Sequence, residues 1–299
     1  MIHENRADFV RMLELTMRRT GFILPLLEKD YFLTLILSRV CRISEGLIFK
    51  GGTCLNKIYF SYFRLSEDLD FCMLLPDGIV TRGTRRRCIL PVRENIARLA
   101  EEVGMKVEGL DSAGRNLSRQ YVFELARPSM LRKAEVRIKL EIGLRSNPIC
   151  LPEKKKVQHV FRHPFTDAEL FDAGSVMCLA LDEVVAEKMR AAALRQKIAP
   201  RDFYDLDFLI RNGVVIAAPE VIRLFRLKLA EDGADSDPGR YEKDLGRSSD
   251  EIRELWSRIE DELLGVLTLP ERKVFRLDDA LKRINLAMTA VGKGGEAVT

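Results

Sequence analysis

Apolar residues recur at helical spacing along much of this chain, and in its first half they alternate with strand-like segments. The helical spacing covers residues 5–19, 28–44, 53–62 and 84–103. Strand-like patterns cover residues 47–50, 68–75, 105–110, 119–126 and 134–144. The last pattern is the clearest, because apolar and polar or small residues alternate from Val136 to Gly143. The first half is therefore predicted to combine a sheet with helices.

Beyond about residue 175 the apolar spacing is almost entirely helical. The predicted helices cover residues 176–196, 202–212, 219–232, 249–266 and 277–290. Together the two halves predict an α+β fold: an N-terminal mixed-sheet domain over 1–170 and a helical C-terminal domain over 171–291. A disordered tail is expected over 292–299.

The composition is that of a globular protein, with 46% hydrophobic and 31% charged residues. No apolar run is long enough to span a membrane, and the charged N-terminus lacks a signal-peptide core, so we expect a cytoplasmic protein without a membrane partner. Six cysteines without CxxC spacing fit reduced thiols in that compartment. The net charge of +4 is compatible with a nucleic-acid partner but does not identify one.

Asp68 and Asp70 lie two residues apart in a predicted strand, with Leu69 and Phe71 interleaved. Residues i and i+2 of a strand point to the same face, so both carboxylates share one side of the sheet. Two close carboxylates repel each other unless a cation lies between them, and Mg²⁺ suits oxygen ligands of this kind. A solvated strand face is the alternative interpretation of the pair taken alone.

A glycine turn precedes these aspartates and favours the metal interpretation. Gly51, Gly52 and Thr53 follow a short apolar strand, and Ser66 lies two residues before Asp68. Glycines allow the backbone to approach a phosphate closely. A glycine turn, a hydroxyl and a metal-binding Asp-x-Asp pair together indicate chemistry on nucleotide phosphates.

Glu141 is a candidate third metal ligand, because it projects from another strand on the polar face shared with Lys139. An ordinary cross-strand ion pair is the alternative for Glu141, and for this residue alone it is the better one.

A second cluster of charged residues lies in the helical half. Lys188 and Arg195 flank two alanines on one predicted helical stripe, and Asp202 and Asp205 follow one helical turn apart. A solvated face is the alternative for Lys188. For Asp202, the alternative is stabilisation of the helix start after Pro200.

Two basic clusters hint at an anionic partner. One comprises Arg82, Arg85, Arg86 and Arg87 at a predicted helix start, where cations oppose the helix dipole. The other is the run of lysines at 154–156. Solvated loops are the alternative for both clusters.

Taken together, these motifs resemble the AbiEii/AbiGii-type toxin nucleotidyltransferases, a branch of the DNA polymerase β-like superfamily. The resemblance spans about residues 47–210, in family order. It rests on Gly51-Gly52-Thr53, Arg64-x-Ser66-Glu67-Asp68-Leu69-Asp70-Phe71, Lys139-x-Glu141, Glu183, Lys188, Ala191, Arg195 and Arg201-Asp202-x-Tyr204-Asp205-Leu206. Cys54 stands where the family often has Ala or Ser, a change that leaves the chemistry undisturbed.

The resemblance implies a toxin of a toxin–antitoxin or abortive-infection system, with a separate antitoxin protein as partner. It also implies that the N-terminal domain is a nucleotidyltransferase domain and that the helical domain completes the same active site. Relatives of the MenT type add nucleotides to the 3′ acceptor end of tRNA. In such relatives the serine corresponding to Ser66 can be phosphorylated.

On this basis we expect transfer of a nucleotide from an NTP to an RNA hydroxyl, with tRNA as the expected RNA. Asp68 and Asp70, with Glu141, would hold two Mg²⁺ ions about 3.5–4 Å apart. The nucleotide-binding residues would be Gly51, Gly52, Thr53, Ser66, Arg195 and Asp202. Lys188 would neutralise phosphate charge, and Asp205 would orient Lys188 or the nucleotide.

Two other functions fit the same residues. One is transfer of the nucleotide to a small molecule such as an aminoglycoside, or to a protein side chain. An acidic acceptor pocket would favour the aminoglycoside, whereas a basic groove favours RNA. The other is a nucleotide-binding module without catalysis, although the retention of every carboxylate argues against it.

Overall fold

A computed structural model describes residues 1–78, 80–111, 114–163 and 165–294 of the chain. The chain divides into two compact units, the first being Met1–Leu179 and the second beginning at Ala180. The first unit contains a mixed sheet and the second is helical, so the predicted α+β class is confirmed.

The sheet of the first unit has seven strands in the order β3-β4-β5-β2-β1-β7-β6. Its strands are β1 (Leu47–Lys50), β2 (Asp68–Met73), β3 (Lys106–Glu108), β4 (Gln120–Pro128), β5 (Glu135–Gly143), β6 (Glu153–Lys156) and β7 (Ser175–Cys178). β2 is antiparallel to β1 and parallel to β5, and β4 is antiparallel to β5. The central strands β1, β2 and β5 therefore lie side by side although they are distant in sequence.

Two of these strands were not expected. Residues 153–156, for whose lysines a solvated loop was the alternative to an anionic partner, form β6, an edge strand, where lysine side chains can stay in solvent. The helix expected from residue 176 begins only at Leu181, because residues Ser175–Cys178 pair with β6 and β1. Both errors have one cause: pairing with a distant strand overrides local apolar spacing.

Helices accompany the sheet in the first unit. They are α1 (Arg6–Thr20), α2 (Leu24–Leu37), α3 (Gly51–Cys54), α4 (Arg82–Glu102) and the single turn α5 (Arg115–Ser118). α2 is buried along most of its length, and it packs on β5. The helix was expected over residues 28–44. α2 ends earlier than that, at Leu37, and β1 follows from Leu47.

The helix expected over 53–62 is α3 followed by a π-helical turn, Leu55–Tyr59. A buried polar network holds this turn against α2. The Lys57 ammonium lies 2.7 Å from an Asp30 carboxylate oxygen and donates to the Thr34 hydroxyl at 2.9 Å. The Tyr62 hydroxyl donates to the other Asp30 oxygen at 2.9 Å. Burial lowers the pKa of Lys57, and the Asp30 carboxylate opposes this shift.

The second unit is built from helices. They are α6 (Leu181–Leu194), α7 (Pro200–Arg211), α8 (Pro219–Glu231), α9 (Ser249–Ser257), α10 (Ile259–Glu262), α11 (Leu269–Val274) and α12 (Leu277–Gly294). α6 packs on α7 and α8, and α12 packs on α7. The single helix expected over 249–266 is interrupted at Arg258, where α9 ends and α10 begins.

Two expectations concern what lies outside these elements. No helix among the described residues is both long and apolar enough to cross a membrane. Of the tail expected over 292–299, residues 292–294 end α12 and residues 295–299 lie outside the described residues.

The Lys57 network yields a prediction about stability. Lys57→Met leaves the Asp30 carboxylate buried without its cation, so we expect a loss of about 3–5 kcal/mol in the free energy of unfolding. The double variant Lys57→Met/Asp30→Leu removes both charges and should recover most of this loss. Urea unfolding of the wild type, both single variants and the double variant measures the coupling. Additive losses in the double variant would contradict the prediction.

Candidate active site

Strand register places three charged residues in one row across the centre of the sheet. Lys50 of β1 lies opposite Asp70 of β2, and Asp70 lies opposite Glu141 of β5. Asp68 lies opposite Lys139 in the adjacent row. Neighbouring strands are about 5 Å apart, so these side chains can interact directly.

The two aspartates share a face of β2, as their spacing predicts. Leu69 and Phe71 are buried on the opposite face, whereas Asp68 and Asp70 are both half-buried. The hydrophobic core on one side of β2 therefore fixes which side presents the carboxylates.

Asp70 is the most perturbed member of the row. Burial, together with the carboxylates of Glu141 and Asp68, raises the pKa of Asp70 to about 6, and the nearby Lys50 only partly offsets this. The strand row thus concentrates more negative charge than its own cations neutralise.

Glu141 has partners within the protein. It lies 2.7 Å from the Lys139 ammonium and accepts a hydrogen bond of 2.6 Å from the Gln120 amide. Burial raises the pKa of Glu141, but the hydrogen bonds from Lys139 and Gln120 outweigh burial and hold the pKa below its usual value. An ion pair, the alternative considered for Glu141, is therefore formed, although with a residue of the same strand.

The glycine turn lies directly against Asp70. Gly51 has a φ of +77°, and a Cβ atom at this position would lie 2.6 Å from an Asp70 carboxylate oxygen. A Cβ atom on Gly52 would overlap the guanidinium group of Arg64, which is 2% exposed, and would lie 3.4 Å from the Ser66 hydroxyl. The two glycines leave a gap between the helix start and these polar groups that any larger residue would fill.

Thr53 ties this turn to the strand that carries the aspartates. Its hydroxyl donates a 2.5 Å hydrogen bond to the backbone carbonyl of Asp68. The hydroxyl is thereby used within the fold, and the contribution of Thr53 to a phosphate is limited to its backbone N–H. The turn, Ser66, both aspartates and Glu141 form one cluster in the first unit.

The donor set of this cluster fits a hard divalent cation such as Mg²⁺. It offers carboxylate oxygens. Burial and the neighbouring carboxylates raise the pKa of Asp70, and a positive ion beside Asp70 would counteract that shift. As the side chains stand, no three acidic, histidine or cysteine groups among the described residues are grouped closely enough to hold a metal. The Glu141 carboxylate is bound to Lys139 and Gln120 instead.

The second cluster forms within the helical unit. The Lys188 ammonium lies 2.7 Å from an Asp205 oxygen and 3.1 Å from an Asp202 oxygen. Arg195 lies 2.9 Å from the other oxygen of Asp202. Lys188 is only 8% exposed, so the alternative of a solvated face is wrong for this residue.

Two details of this cluster differ from the expectation. Arg195 is not on the helical stripe, because α6 ends at Leu194 and Arg195 has non-helical backbone angles, with φ −59° and ψ 125°. It joins the cluster through its ion pair with Asp202. Asp202 also lies in the first turn of α7, as the helix-start interpretation predicts, so it serves both purposes.

Glu183 has a different environment from its neighbours in the motif. It is fully buried and lies 2.8 Å from the Lys228 ammonium of α8. Lys228 also lies 3.5 Å from Glu187. This pair joins α6 to α8 within the second unit.

Two residues that shape the first cluster had no signal in the sequence. Lys50 faces Asp70 because β1 and β2 are antiparallel, and Gln120 reaches Glu141 because β4 and β5 are paired. Both contacts depend on strand register between distant segments. A predicted antiparallel β1–β2 pair could have identified Lys50, since it directly precedes the glycine turn.

The sequence matches the family model described as "Nucleotidyl transferase AbiEii toxin, Type IV TA system" over residues 36–283, which is most of the chain. A comparison with curated proteins gives no match.

Solved structures share the fold. MenT4, a nucleotidyltransferase toxin from Mycobacterium tuberculosis, is 20% identical, with a TM-score of 0.55 over 93% of this chain and 98% of that chain. JHP933 from Helicobacter pylori is 14% identical, with a TM-score of 0.50 over 91% of this chain and 94% of that chain. At these identities the structures establish similarity of fold alone, and the family model carries the assignment. This chain belongs to the AbiEii family of nucleotidyltransferase toxins of type IV toxin–antitoxin systems.

Proposed function

We propose that this toxin transfers a nucleotide from an NTP to a hydroxyl of RNA, with the 3′ end of tRNA as the acceptor. The hydroxyl oxygen bonds to the α-phosphorus, the bond between the α- and β-phosphates breaks, and pyrophosphate is released. The observation that carries the proposal is the contact between the Gly51 turn and Asp70. It places a backbone suited to phosphates directly beside carboxylates suited to a divalent ion. The resemblance to MenT-type toxins supports tRNA as the acceptor.

The residues of the first unit have distinct roles in this proposal. The backbone N–H groups of Gly52 and Thr53, with the Ser66 hydroxyl, bind the phosphates of the NTP. Asp68 and Asp70 would hold Mg²⁺, and Glu141 would serve as a third ligand or orient the acceptor hydroxyl. When bound, Mg²⁺ neutralises phosphate charge and lowers the pKa of the attacking hydroxyl.

The residues of the second unit supply positive charge. Lys188 neutralises phosphate charge as a compact ammonium, and Asp202 and Asp205 fix its position through the two ion pairs. Arg195 is half-exposed and contacts phosphate or RNA. A separate antitoxin protein is the expected partner, and NTP and tRNA substrates place the reaction in the cytoplasm.

The direct test incubates the protein with each labelled NTP, Mg²⁺ and total RNA. We expect label to enter RNA, and we expect Asp68→Asn to abolish this incorporation. Glu67→Gln is a matched control, because Glu67 is adjacent but its carboxylate pairs with Lys29 at 3.0 Å. Label in a small molecule or in protein, with none in RNA, would contradict the RNA acceptor. Full activity of Asp68→Asn would contradict its role.

The raised pKa of Asp70 predicts how stability depends on pH. The folded protein holds this proton more tightly than the unfolded chain, so stability falls as pH rises from about 4 through about 6. Asp70→Asn removes this cost and should be more stable than the wild type by up to about 3 kcal/mol at pH 7.5, but equally stable near pH 4.

Thermal melting at both pH values, with and without Mg²⁺, measures this effect. Mg²⁺ should raise the Tm of the wild type at pH 7.5 and should raise that of Asp70→Asn much less. Equal Mg²⁺ responses in the two proteins would rule out Asp70 as a ligand.

Lys188→Ala should lower the transfer rate by about a hundredfold, equivalent to roughly 3 kcal/mol of transition-state stabilisation. The variant also leaves two buried carboxylates without their ammonium, so it will lose stability. Lys228→Ala is the matched control, because Lys228 is equally buried and also pairs with two carboxylates. Both variants should melt earlier, but only Lys188→Ala should lose activity below its melting range. Equal losses of activity in Lys188→Ala and Lys228→Ala would mean that Lys188 acts only by stabilising the fold.

A further inference from the structure

The turn that leads into β4 has an unusual backbone. Asn116, Leu117 and Ser118 have φ values of +49°, +56° and +63°, although none of them is glycine. Such angles are unfavourable for residues with a Cβ atom, and three in succession are rare. Leu117 at the tip is 67% exposed, so burial of its side chain does not offset this strain.

The surrounding structure holds the turn in place. The backbone N–H of Leu144 donates to the carbonyl of Arg119 at 2.7 Å, and Arg115 forms an isolated bridge with Gln120. Gly114 packs so closely on Tyr121 that a Cβ atom there would lie 2.6 Å from the ring. Leu117 is therefore presented to solvent by a turn that is fixed on both sides.

The turn lies beside the carboxylate row. Gln120 follows the turn after Arg119 and donates to Glu141, and Glu141 lies opposite Asp70. The first residue of β4 after the turn therefore contacts the carboxylate row.

Four exposed arginines surround the same place. Arg115 and Arg119 flank the turn. Arg82 and Arg86 lie near the start of α4, which Arg85 anchors there by donating to the Leu144 carbonyl at 2.9 Å. Farther along the same stripe of α4, Arg93 lies over the ring of Tyr121.

In the described part of the chain, none of these four arginines has a carboxylate within ion-pair distance. Arg82 and Arg86 also lie in the first turns of a helix, where positive charge opposes the dipole. Four exposed cations, without ion pairs among the described residues, therefore lie at the start of α4 and on the turn that carries the exposed leucine, an arrangement that an anionic partner would stabilise.

We propose that this basic rim, defined as Arg82, Arg86, Arg115, Leu117 and Arg119, binds the single-stranded end of the RNA acceptor. The guanidinium groups contact successive phosphates, and Leu117 packs against the face of a base. The proposal rests on the proposed function, since it assigns the place of the acceptor in that reaction. RNA fits better than an acidic peptide, because an apolar side chain between cations matches alternating bases and phosphates.

Binding can be measured without catalysis. Fluorescence anisotropy of a labelled single-stranded RNA, titrated with the full-length protein at several KCl concentrations, reports affinity and salt dependence. Arg115→Ala/Arg119→Ala should weaken binding at low salt at least about tenfold and reduce the log–log salt slope by about 1.4, which is two phosphate contacts.

The control is Arg132→Ala/Lys133→Ala, which removes the same charge from an exposed turn. That turn lies at the other end of the β4–β5 ladder, roughly 25 Å away. Binding by this control should stay within about twofold of the wild type. Equal weakening of RNA binding in both double variants would mean that the affinity depends on net charge alone. This result would overturn the proposal that RNA binds at the basic rim.

Leu117→Gly separates recognition from folding. Glycine accepts the positive φ of this position, so the Tm should stay the same or rise, while RNA binding falls. A Leu117→Gly protein that binds RNA as tightly as the wild type would overturn the role of Leu117.

Measuring whether an NTP with Mg²⁺ raises the Tm distinguishes failure of the rim proposal from failure of the proposed function. If the wild type is stabilised by NTP and Mg²⁺ but binds no RNA, the rim proposal fails and nucleotidyl transfer to another acceptor stands. If RNA binds at the rim but no NTP is bound or transferred, the proposed function fails and the RNA surface remains.

Discussion

Repulsion among carboxylates on one face of the sheet is the constraint on which the site depends. Asp68, Asp70 and Glu141 are brought together by pairing between β2 and β5, and the nearby lysines neutralise them only in part. The fold accepts an ionised, half-buried Asp70 at a cost in stability near neutral pH. This cost is understandable where a cation and phosphates complete the charge balance during the reaction, as expected for a nucleotidyltransferase.

Buried lysines provide rigidity within each of the two units. Lys57 fixes the π-helical turn that follows the glycines, Lys188 joins α6 to α7, and Lys228 joins α6 to α8. Each ammonium is desolvated and is stable only with its carboxylates, so each element is held in one position. Rigid support of this kind keeps polar groups preorganised for charged substrates.

The two charged surfaces of the first unit have opposite roles. The strand row is acidic and suits metal ions, whereas the rim at the start of α4 and β4 is basic and suits phosphates. Gln120 connects them, because it follows Arg119 in sequence and donates to Glu141.

The sequence by itself determined the fold class, the family and the local motifs. Asp68 and Asp70 share a face because strand side chains alternate, and the glycine turn follows from residues adjacent in the chain. Tertiary structure alone decided that Lys50 faces Asp70, that Gln120 holds Glu141 and that Ser175–Cys178 is a strand rather than a helix. It also decided that Lys188 is buried between Asp202 and Asp205. Alternation and helical spacing act over a few residues, whereas register and burial depend on which distant segments pair, and local spacing does not encode that choice.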